Sequence, residues 1–384
     1  MMVLDKNNPN YRQCSMSVMD NIADPDITFD ENGICNYYYE YLAEASKPDY
    51  QEPLKSNILT SLISEIKSKK GKYNCIIGVS GGVDSTYLAL FAKENGLSPL
   101  LVHFDYGWNS ELAVKNIESI VAKTGFDLYT YVMDWEEFSS LQRSYFRASV
   151  LDLDVPADHM IFGALYKTAK KFRISTILSG NNYRTENTLP KSWNYNKFDL
   201  INLNDIHNSF ENTKLNHLPK LGIWQRAYYQ LVLGVKNVNI LNFLDYNKSD
   251  VKKRIINELD WKDYGGKHHE SIFTRFYQGY ILPNKFNIDK RKAHLSDLIF
   301  SGQLSREDAL NELKEPHYSI DLMRSDFIFV AKKLRFSEEE FKVVLEQTNR
   351  KHEYFKTDQL SRDKYFKIMR LLKPITRIIK RFKK

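Results

Sequence analysis

Ser80-Gly81-Gly82-Val83-Asp84-Ser85 is the part of this chain whose residue types and spacing most directly specify chemistry. It follows an apolar run, Cys75-Ile76-Ile77-Gly78-Val79, and precedes a helix signal, Tyr87-Leu88-Ala89-Leu90. The glycines let backbone N–H groups approach an anion, and the start of a helix adds partial positive charge. A phosphate cradle results. Its spacing is not the G-x-x-x-x-G-K-[ST] of kinases and GTPases, whose lysine is missing, and it is not G-x-G-x-x-G. A plain glycine-rich turn is the structural alternative. Asp84 offers a carboxylate to a hard cation such as Mg²⁺.

Other groups with chemical potential stand further along. His103-Phe104-Asp105 and Leu178-Ser179-Gly180-Asn181-Asn182 each close an apolar run with polar turn residues, as strand ends often do. Gly265-Gly266 is followed by Lys267, His268, His269, Glu270 and Arg275. Lysine and arginine there can stabilise charge developing on a phosphate, and a histidine can accept a proton. Contact with substrate or phosphate, structural hydrogen bonding and metal ligation all remain open for Lys267 and His268, although no H-E-x-x-H or Cys/His spacing accompanies them.

The elements that must carry these groups alternate. A helix over 55–70 leads into strands over 73–79, 99–104, 128–133 and 174–178, with helices over 85–95, 110–124 and 157–171 between them. A fifth strand is predicted over 238–243. Strands alternating with helices of this length imply crossovers and a doubly wound, parallel five-stranded α/β sheet. Ligands of such sheets bind beyond the carboxyl ends of the strands. The predicted organisation is a polar knuckle over 1–50, a nucleotide domain over 51–260, a substrate- and phosphate-contacting helical region over 261–320 and a helical carboxyl-terminal region over 321–384.

The Ser-Gly-Gly-x-Asp-Ser pattern at this strand-to-helix junction resembles the PP-loop of the ATP pyrophosphatases, the family of GMP synthetase, asparagine synthetase and tRNA-thiolating enzymes. The resemblance implies ATP cleaved between its α and β phosphates, with a substrate oxygen adenylated so that a nucleophile can expel AMP. Ser80, Gly81, Gly82, Val83 and Ser85 would hold pyrophosphate, and Asp84 would bind Mg²⁺ and act in catalysis. His103 and Asp105 would meet adenine and ribose, with Gly180 and Asn181 at the same edge.

Further runs sharpen the likeness: 147–159, Thr185-Glu186-Asn187-Thr188-Leu189-Pro190, Trp193-Asn194-Tyr195-Asn196, and the block from Trp261 through Arg275 to Ser296. Over roughly residues 10–315 the chain resembles the N-acetyl sugar amidotransferases of bacterial surface-polysaccharide synthesis, the family of WbpG and PseA. In that family ammonia replaces the oxygen of an acetamido group, giving an acetamidino sugar. The resemblance implies a sugar-nucleotide substrate met by Asp152, Asp154, Asp158, His159, Glu186, Trp193 and Lys290, with Lys267, His268 and Arg275 beside Asp84 in catalysis. It also implies ammonia from a separate glutaminase subunit like that of imidazole glycerol phosphate synthase, with or without its barrel subunit.

The cysteines depart from the family, which often carries two C-x-x-C pairs near the start. Here the pairs read Cys14-Ser15-Met16-Ser17 and Cys35-Asn36-Tyr37-Tyr38, so each has lost a thiolate and structural zinc is not expected. Aromatic packing from Tyr37 to Tyr41 is expected to hold the knuckle instead. Cys75 belongs to the first strand's core, and no cysteine has a nucleophile's setting.

The 384 residues carry a net charge of +7, yet residues 361–384 hold ten Lys or Arg against one acid, a net of +9 that leaves −2 for the preceding 360. A basic body suited to nucleic acid is therefore excluded, and tRNA modification is the lesser reading. The tail interleaves apolar and basic residues and is interrupted by Pro374. It is suited either to an anionic membrane or acidic partner, or to packing on its own domain. Three cysteines, no transmembrane-length apolar stretch and no signal-peptide pattern at the start lead to the expectation of a cytoplasmic protein able to sit peripherally at the inner membrane.

Overall fold

The structure, a computed structural model, describes residues 9–266 and 269–367. Five strands, β1 (Cys75–Gly78), β2 (Pro99–Asp105), β3 (Leu128–Val132), β4 (Thr176–Leu178) and β5 (Lys236–Val238), pair in the order β3-β2-β1-β4-β5, every pairing parallel. The chain enters through helices α1 (Asn36–Ala45) and α2 (Leu54–Lys67). The crossovers are α3 (Val83–Glu94), α4 (Glu111–Thr124), and the pair α5 (Trp135–Ala148) and α6 (Val155–Phe172). Between β4 and β5 lie α7 (Tyr183–Glu186), α8 (Leu200–Phe210) and α9 (Ile223–Ala227), the last continued by a π-helical turn, Tyr228–Val232. Beyond β5 follow α10 (Lys248–Leu259), α11 (Ile272–Phe276), α12 (Leu282–Phe286), α13 (Arg291–Phe300), α14 (Arg306–Glu312), α15 (Ile320–Lys333) and α16 (Glu338–Glu346).

Alternation along the strands places helices on both faces. Ile76, Leu100, Val102 and Ile177 pack with Ala164, Leu165 and Tyr166 of α6, whereas Cys75, Ile77, Leu101 and Leu178 pack with α3 and α10. This is the doubly wound arrangement, with β1 buried on both sides as central parallel strands are. Cys75 is fully buried there, and burial pushes its thiol up to about 12.

Two departures concern the ends of the sheet. The predicted fifth strand is displaced: the strand is Lys236–Val238, and Ile240–Phe243 is a 3-10 turn. Ile240 and Leu241 are still buried, but Asn242 turns the chain by accepting the Tyr183 N–H (2.9 Å) and donating to the Tyr50 hydroxyl (3.0 Å). An apolar run was read as extended where side-chain hydrogen bonds bend it. The helix α5 had no counterpart in the sequence reading. It is capped by Asp134, which accepts the Glu137 N–H (3.0 Å), and buries Phe138, Leu141, Tyr145 and Phe146.

The amino-terminal knuckle closes without cross-links. The Cys35 N–H donates to Cys14 Sγ (3.2 Å), Ser17 Oγ lies 3.8 Å from Cys35 Sγ, and Tyr37 donates to Asp24 (2.5 Å). Hydrogen bonding from Cys35 draws the Cys14 thiol down to about 5. Tyr38 and Tyr41 pack on Phe300, in line with the aromatic support expected of this helix.

Phe300 belongs to α13, which ties distant parts together. Lys292 bonds Asp20 of the knuckle, Ser296 accepts the Val18 N–H (3.4 Å), and Asp297 accepts the N–H (2.9 Å) and hydroxyl (2.6 Å) of Thr188. The Asp20 and Lys292 side chains are 0% and 3% exposed, so neither charge can turn to water. Asp20→Ala leaves the Lys292 ammonium buried without its counter-charge and is expected to cost about 3–5 kcal/mol. Urea unfolding checks this. The double variant Asp20→Ala/Lys292→Met should recover most of the loss, and a single-variant cost indistinguishable from zero would show that α13 holds the knuckle by other means.

Candidate active site

The sheet order puts β1 beside β4, where successive crossovers diverge, and the loops after these two strands meet. This is the switch point at which open α/β sheets bind ligands. The loop after β1 turns at Gly81 with φ +79°, and a side chain there would drive Cβ to 2.5 Å from the Ala113 carbonyl oxygen. Only glycine fits. The Gly81 carbonyl accepts from the Trp261 indole (2.8 Å) and from Asn116 Nδ2 (3.4 Å), both buried. Asn116 also brackets the Lys262 backbone, donating to its carbonyl and accepting from its N–H, each at 2.9 Å.

With that carbonyl turned inward, the residues at the start of α3 form a compact loop. The Gly82 N–H donates to Ser80 Oγ (3.2 Å), while Ser85 Oγ (3.2 Å) and Thr86 Oγ1 (2.6 Å) donate to the Gly82 carbonyl. A Cβ on Gly82 would lie 3.1 Å from Ser80 Oγ and 3.4 Å from the Tyr264 hydroxyl. A Cβ on Gly180, after β4, would lie 3.2 Å from Asp84 Cβ, so the two loops touch. Asp84 accepts from the buried Tyr246 hydroxyl. Burial and the neighbouring Asp84 carboxylate push the Tyr246 phenol up, so it stays a donor.

The chain after α10 folds back over this loop. Tyr264 is held by Glu270, burial and the Glu270 charge raising its phenol. Residues 108–110 and 270–272 run side by side: the Ser110 N–H donates to the Glu270 carbonyl and the Ile272 N–H to that of Trp108, both at 2.9 Å. Asn109 and Ser271 form an antiparallel bridge. Tyr106 hydrogen-bonds Ser271 and lies within Coulomb reach of Glu270 on one side and of Asp154 and Asp158 on the other.

Asp154 and Asp158 belong to the second assembly. Lys197 Nζ sits between Asp152 (2.7 Å to each oxygen) and Asp158 (3.1 Å), and the Tyr195 N–H also donates to Asp152 (2.8 Å). Burial and the Asp158 charge push the Asp154 carboxyl up to about 7, while Lys290 and Lys197 pull the other way. Lys290 also lines a cleft of about 610 Å³ with Gly265, Gly266, His269, Arg275, Arg291 and His317. Burial, then the Arg275 charge, lowers His269, leaving it neutral at physiological pH.

The structure thus gathers Ser80, Gly81, Gly82, Val83, Asp84, Ser85, Gly180 and Asn181 at one sheet edge, and Asp152, Asp154, Asp158 and Lys290 beside it. Glu186 is within Coulomb reach of Tyr246. Asp105 is exposed at the end of β2 and accepts the Gly107 N–H (3.1 Å). Arg275 lines the cleft but makes a bidentate pair with Asp326 (2.7 and 2.8 Å). Three residues expected at ligands are framework instead. His103 shares its nitrogens with the Val79 carbonyl and Asn109 (both 3.2 Å), and burial lowers it. His159 bridges the Lys197 carbonyl (2.8 Å) and the Leu221 N–H (2.9 Å), and burial lowers it to about 4. Trp193 is buried, with its indole on the Ala23 carbonyl (2.6 Å). Lys267 and His268 lie outside the described residues. Asn116, Lys197 and Tyr246 escaped the sequence reading, since none sits in a motif and each acts through a partner far along the chain.

The loop fits a nucleotide and a divalent cation: a glycine turn that no side chain could adopt, helix-start amides and an adjoining carboxylate make an anion cradle with a cation ligand. Comparisons with known proteins agree with that geometry. Residues 270–373 match the family described as LPS biosynthesis protein WbpG-like, C-terminal domain, and residues 74–160 match queuosine biosynthesis protein QueC, a PP-loop family. An uncharacterized protein of Methanocaldococcus jannaschii is 22% identical over 315 residues, covering 79% of this chain and 94% of its own. The tRNA(Ile)-lysidine synthase of Chlamydia pneumoniae is 37% identical over 68 residues, 17% of this chain and 21% of that protein. Among solved structures, NMN synthetase from Francisella tularensis aligns over 74% of this chain and 95% of its own, at 14% identity and a TM-score of 0.33.

The acid cluster yields a prediction about pH. An unperturbed aspartate ionises near 3.8 and folded Asp154 near 7, so the folded state holds the proton more tightly. This contribution is complete below about pH 4 and is lost as pH rises through about 7. Asp154→Asn removes the loss, so the melting temperature of the variant relative to the natural protein should climb between pH 4 and 8. A difference that stays flat across this range would show that Asp154 does not titrate there.

Proposed function

We propose that this WbpG-like PP-loop protein is an ATP-dependent amidotransferase that converts an acetamido group of an N-acetyl sugar, carried as a sugar nucleotide, into an acetamidino group for bacterial surface-polysaccharide synthesis. The observation that carries this reading is the adjacency of the two assemblies. A phosphate loop at the β1/β4 edge is joined through Tyr106 and Glu270 to the acid cluster, and a cleft lined by Lys290 opens beside both. The likeness to the WbpG-like domain, which includes the cleft residues Arg275, Lys290 and Arg291, supports it.

The acetamido oxygen attacks the α-phosphorus of ATP, and pyrophosphate leaves into the Ser80–Ser85 loop. Ammonia then adds at the former carbonyl carbon, and the bond to the adenylated oxygen breaks, releasing AMP and leaving an amidine. Magnesium bound with the phosphates would supply charge compensation. Asp84, fixed by the Tyr246 hydroxyl and the Gly180 turn, is the carboxylate that would hold it. Asp154, whose carboxyl ionises near 7, accepts the proton of an incoming ammonium ion. Lys290 meets the diphosphate of the sugar nucleotide in the cleft, whose wall is held by the Arg291–Asp289 pair (2.8 Å).

Ammonia comes from a separate glutaminase subunit, because Cys14, Cys35 and Cys75 are all buried, out of reach of glutamine. A second reading, tRNA modification, is favoured by the match of residues 74–160 to the queuosine biosynthesis family and by the short likeness to tRNA(Ile)-lysidine synthase. The net charge of −2 outside residues 361–384 opposes it.

Incubation with ATP, nucleotide-linked N-acetyl sugars and ammonium should give AMP, pyrophosphate and a sugar whose mass reports exchange of O for NH. Glutamine should not replace ammonium for the isolated chain. Asp84→Asn should lower AMP formation by about 100-fold or more while the circular dichroism spectrum is unchanged. AMP release stimulated by tRNA and not by sugar would transfer the assignment to the second reading.

A further inference from the structure

The face formed by α9 and its π-helical continuation is unlike the rest of the surface. Trp224 on α9 and Tyr228, Leu231 and Val232 on its π-helical turn are 50%, 43%, 53% and 69% exposed, an apolar stripe within nine residues of chain. Cations flank this apolar stripe. Lys170 Nζ stands 5.6 Å from the centre of the Tyr228 ring, and Lys167, exposed on the preceding turn of α6, lies within Coulomb reach of Lys220.

The end of the described chain meets the same face. Tyr365 packs edge-on against Trp224, with ring centres 6.1 Å apart, and Phe366 (56% exposed), Lys364 and Lys367 are turned to solvent beside it. From there the sequence runs on for residues 368–384, with seven Lys or Arg, no acid, and eight large apolar residues from Ile368 to Phe382.

We propose that this face, together with the tail that starts on it, docks the protein on an anionic phospholipid bilayer. Charge decides between occupants. If the tail itself covered the stripe, seven cations would be brought onto a face already lined by lysines. A second copy would oppose the same lysines to themselves. An anionic bilayer satisfies both components, taking the apolar side chains at the acyl boundary and the lysines at the headgroups. Trp224 and Tyr228 suit that boundary because each ring has an apolar body and a polar edge.

The placement agrees with the topology. The helix α6 begins beside Asp154 and runs antiparallel to the strands, so Lys167 and Lys170 lie about 20 Å along it from the acid cluster. Docking through this end keeps the phosphate-loop edge of the sheet open to solution. The inference is independent of which substrate the site takes.

The test uses the full chain and sedimentation with vesicles of phosphatidylglycerol and phosphatidylcholine in equal parts, against vesicles of phosphatidylcholine alone. The natural protein should sediment with the anionic vesicles at low salt and be released at high salt. Leu231→Glu/Val232→Glu and, separately, Lys373→Gln/Arg377→Gln/Lys380→Gln/Arg381→Gln should each weaken partition by about tenfold or more. ATP turnover of the Leu231→Glu/Val232→Glu variant should be unchanged, since neither residue lies at the candidate active site. Trp224→Ser serves as the second apolar variant if the glutamate pair disturbs the fold. Equal sedimentation with both vesicle types would overturn the proposal. So would unchanged partition of the apolar variants, or a natural protein that dimerises in light scattering without binding vesicles.

Discussion

One hydrogen-bonded carbonyl, that of Gly81, organises the functional edge of the molecule. Its residue adopts a left-handed turn that brings it against Ala113, and its oxygen is turned inward to Trp261 and Asn116. Burying an unpaired carbonyl would cost about 1–3 kcal/mol, so this inward turn depends on both donors being present. With the carbonyl facing inward, the amides at the start of α3 are free to face an anion. Trp261 sits just beyond α10, and anchoring it forces the following chain across the sheet edge. There it pairs with residues 108–110 and sets Tyr264 and Glu270 over the loop. The nucleotide loop and the carboxyl-terminal half are therefore fixed by the same contact.

Charge at the site is distributed between a cleft and an acid cluster. The cleft gathers Lys290, Arg275 held by Asp326 and Arg291 held by Asp289, and two of its histidines, His269 and His317, are lowered, chiefly by burial. Next to it, Lys197 pairs with Asp152 and Asp158, and burial pushes the neighbouring Asp154 carboxyl up. The knuckle shows a different economy. Its turns are closed by a thiol that accepts an N–H, by a Tyr–Asp bond and by the buried Asp20–Lys292 pair.

Sequence patterns located the sheet because each central strand is a short apolar run followed by a helix within the crossover distance. The phosphate loop was legible for the same reason: cradle, turn and helix start are contiguous, so local backbone chemistry suffices to build them. The fifth strand was misplaced because Asn242 competes with the ladder through bonds to Tyr183 and Tyr50, residues far away in the chain. His103, His159 and Trp193 read as ligand contacts through the family resemblance. The fold spends their polar atoms on the backbone, which no spacing reveals.

By itself, then, the sequence determined the parallel α/β class, the position of the phosphate loop and the family likeness, all of which follow from periodicity and contiguous residues. Tertiary structure decided which charges share a site. It brought Lys197 to Asp152, Tyr246 to Asp84, Trp261 to Gly81 and Lys290 to Asp154, pairings that span tens to hundreds of residues. The physical reason is that a buried charge or carbonyl must find a partner in space, and spatial proximity across a doubly wound sheet is set by strand order, which sequence separation does not encode.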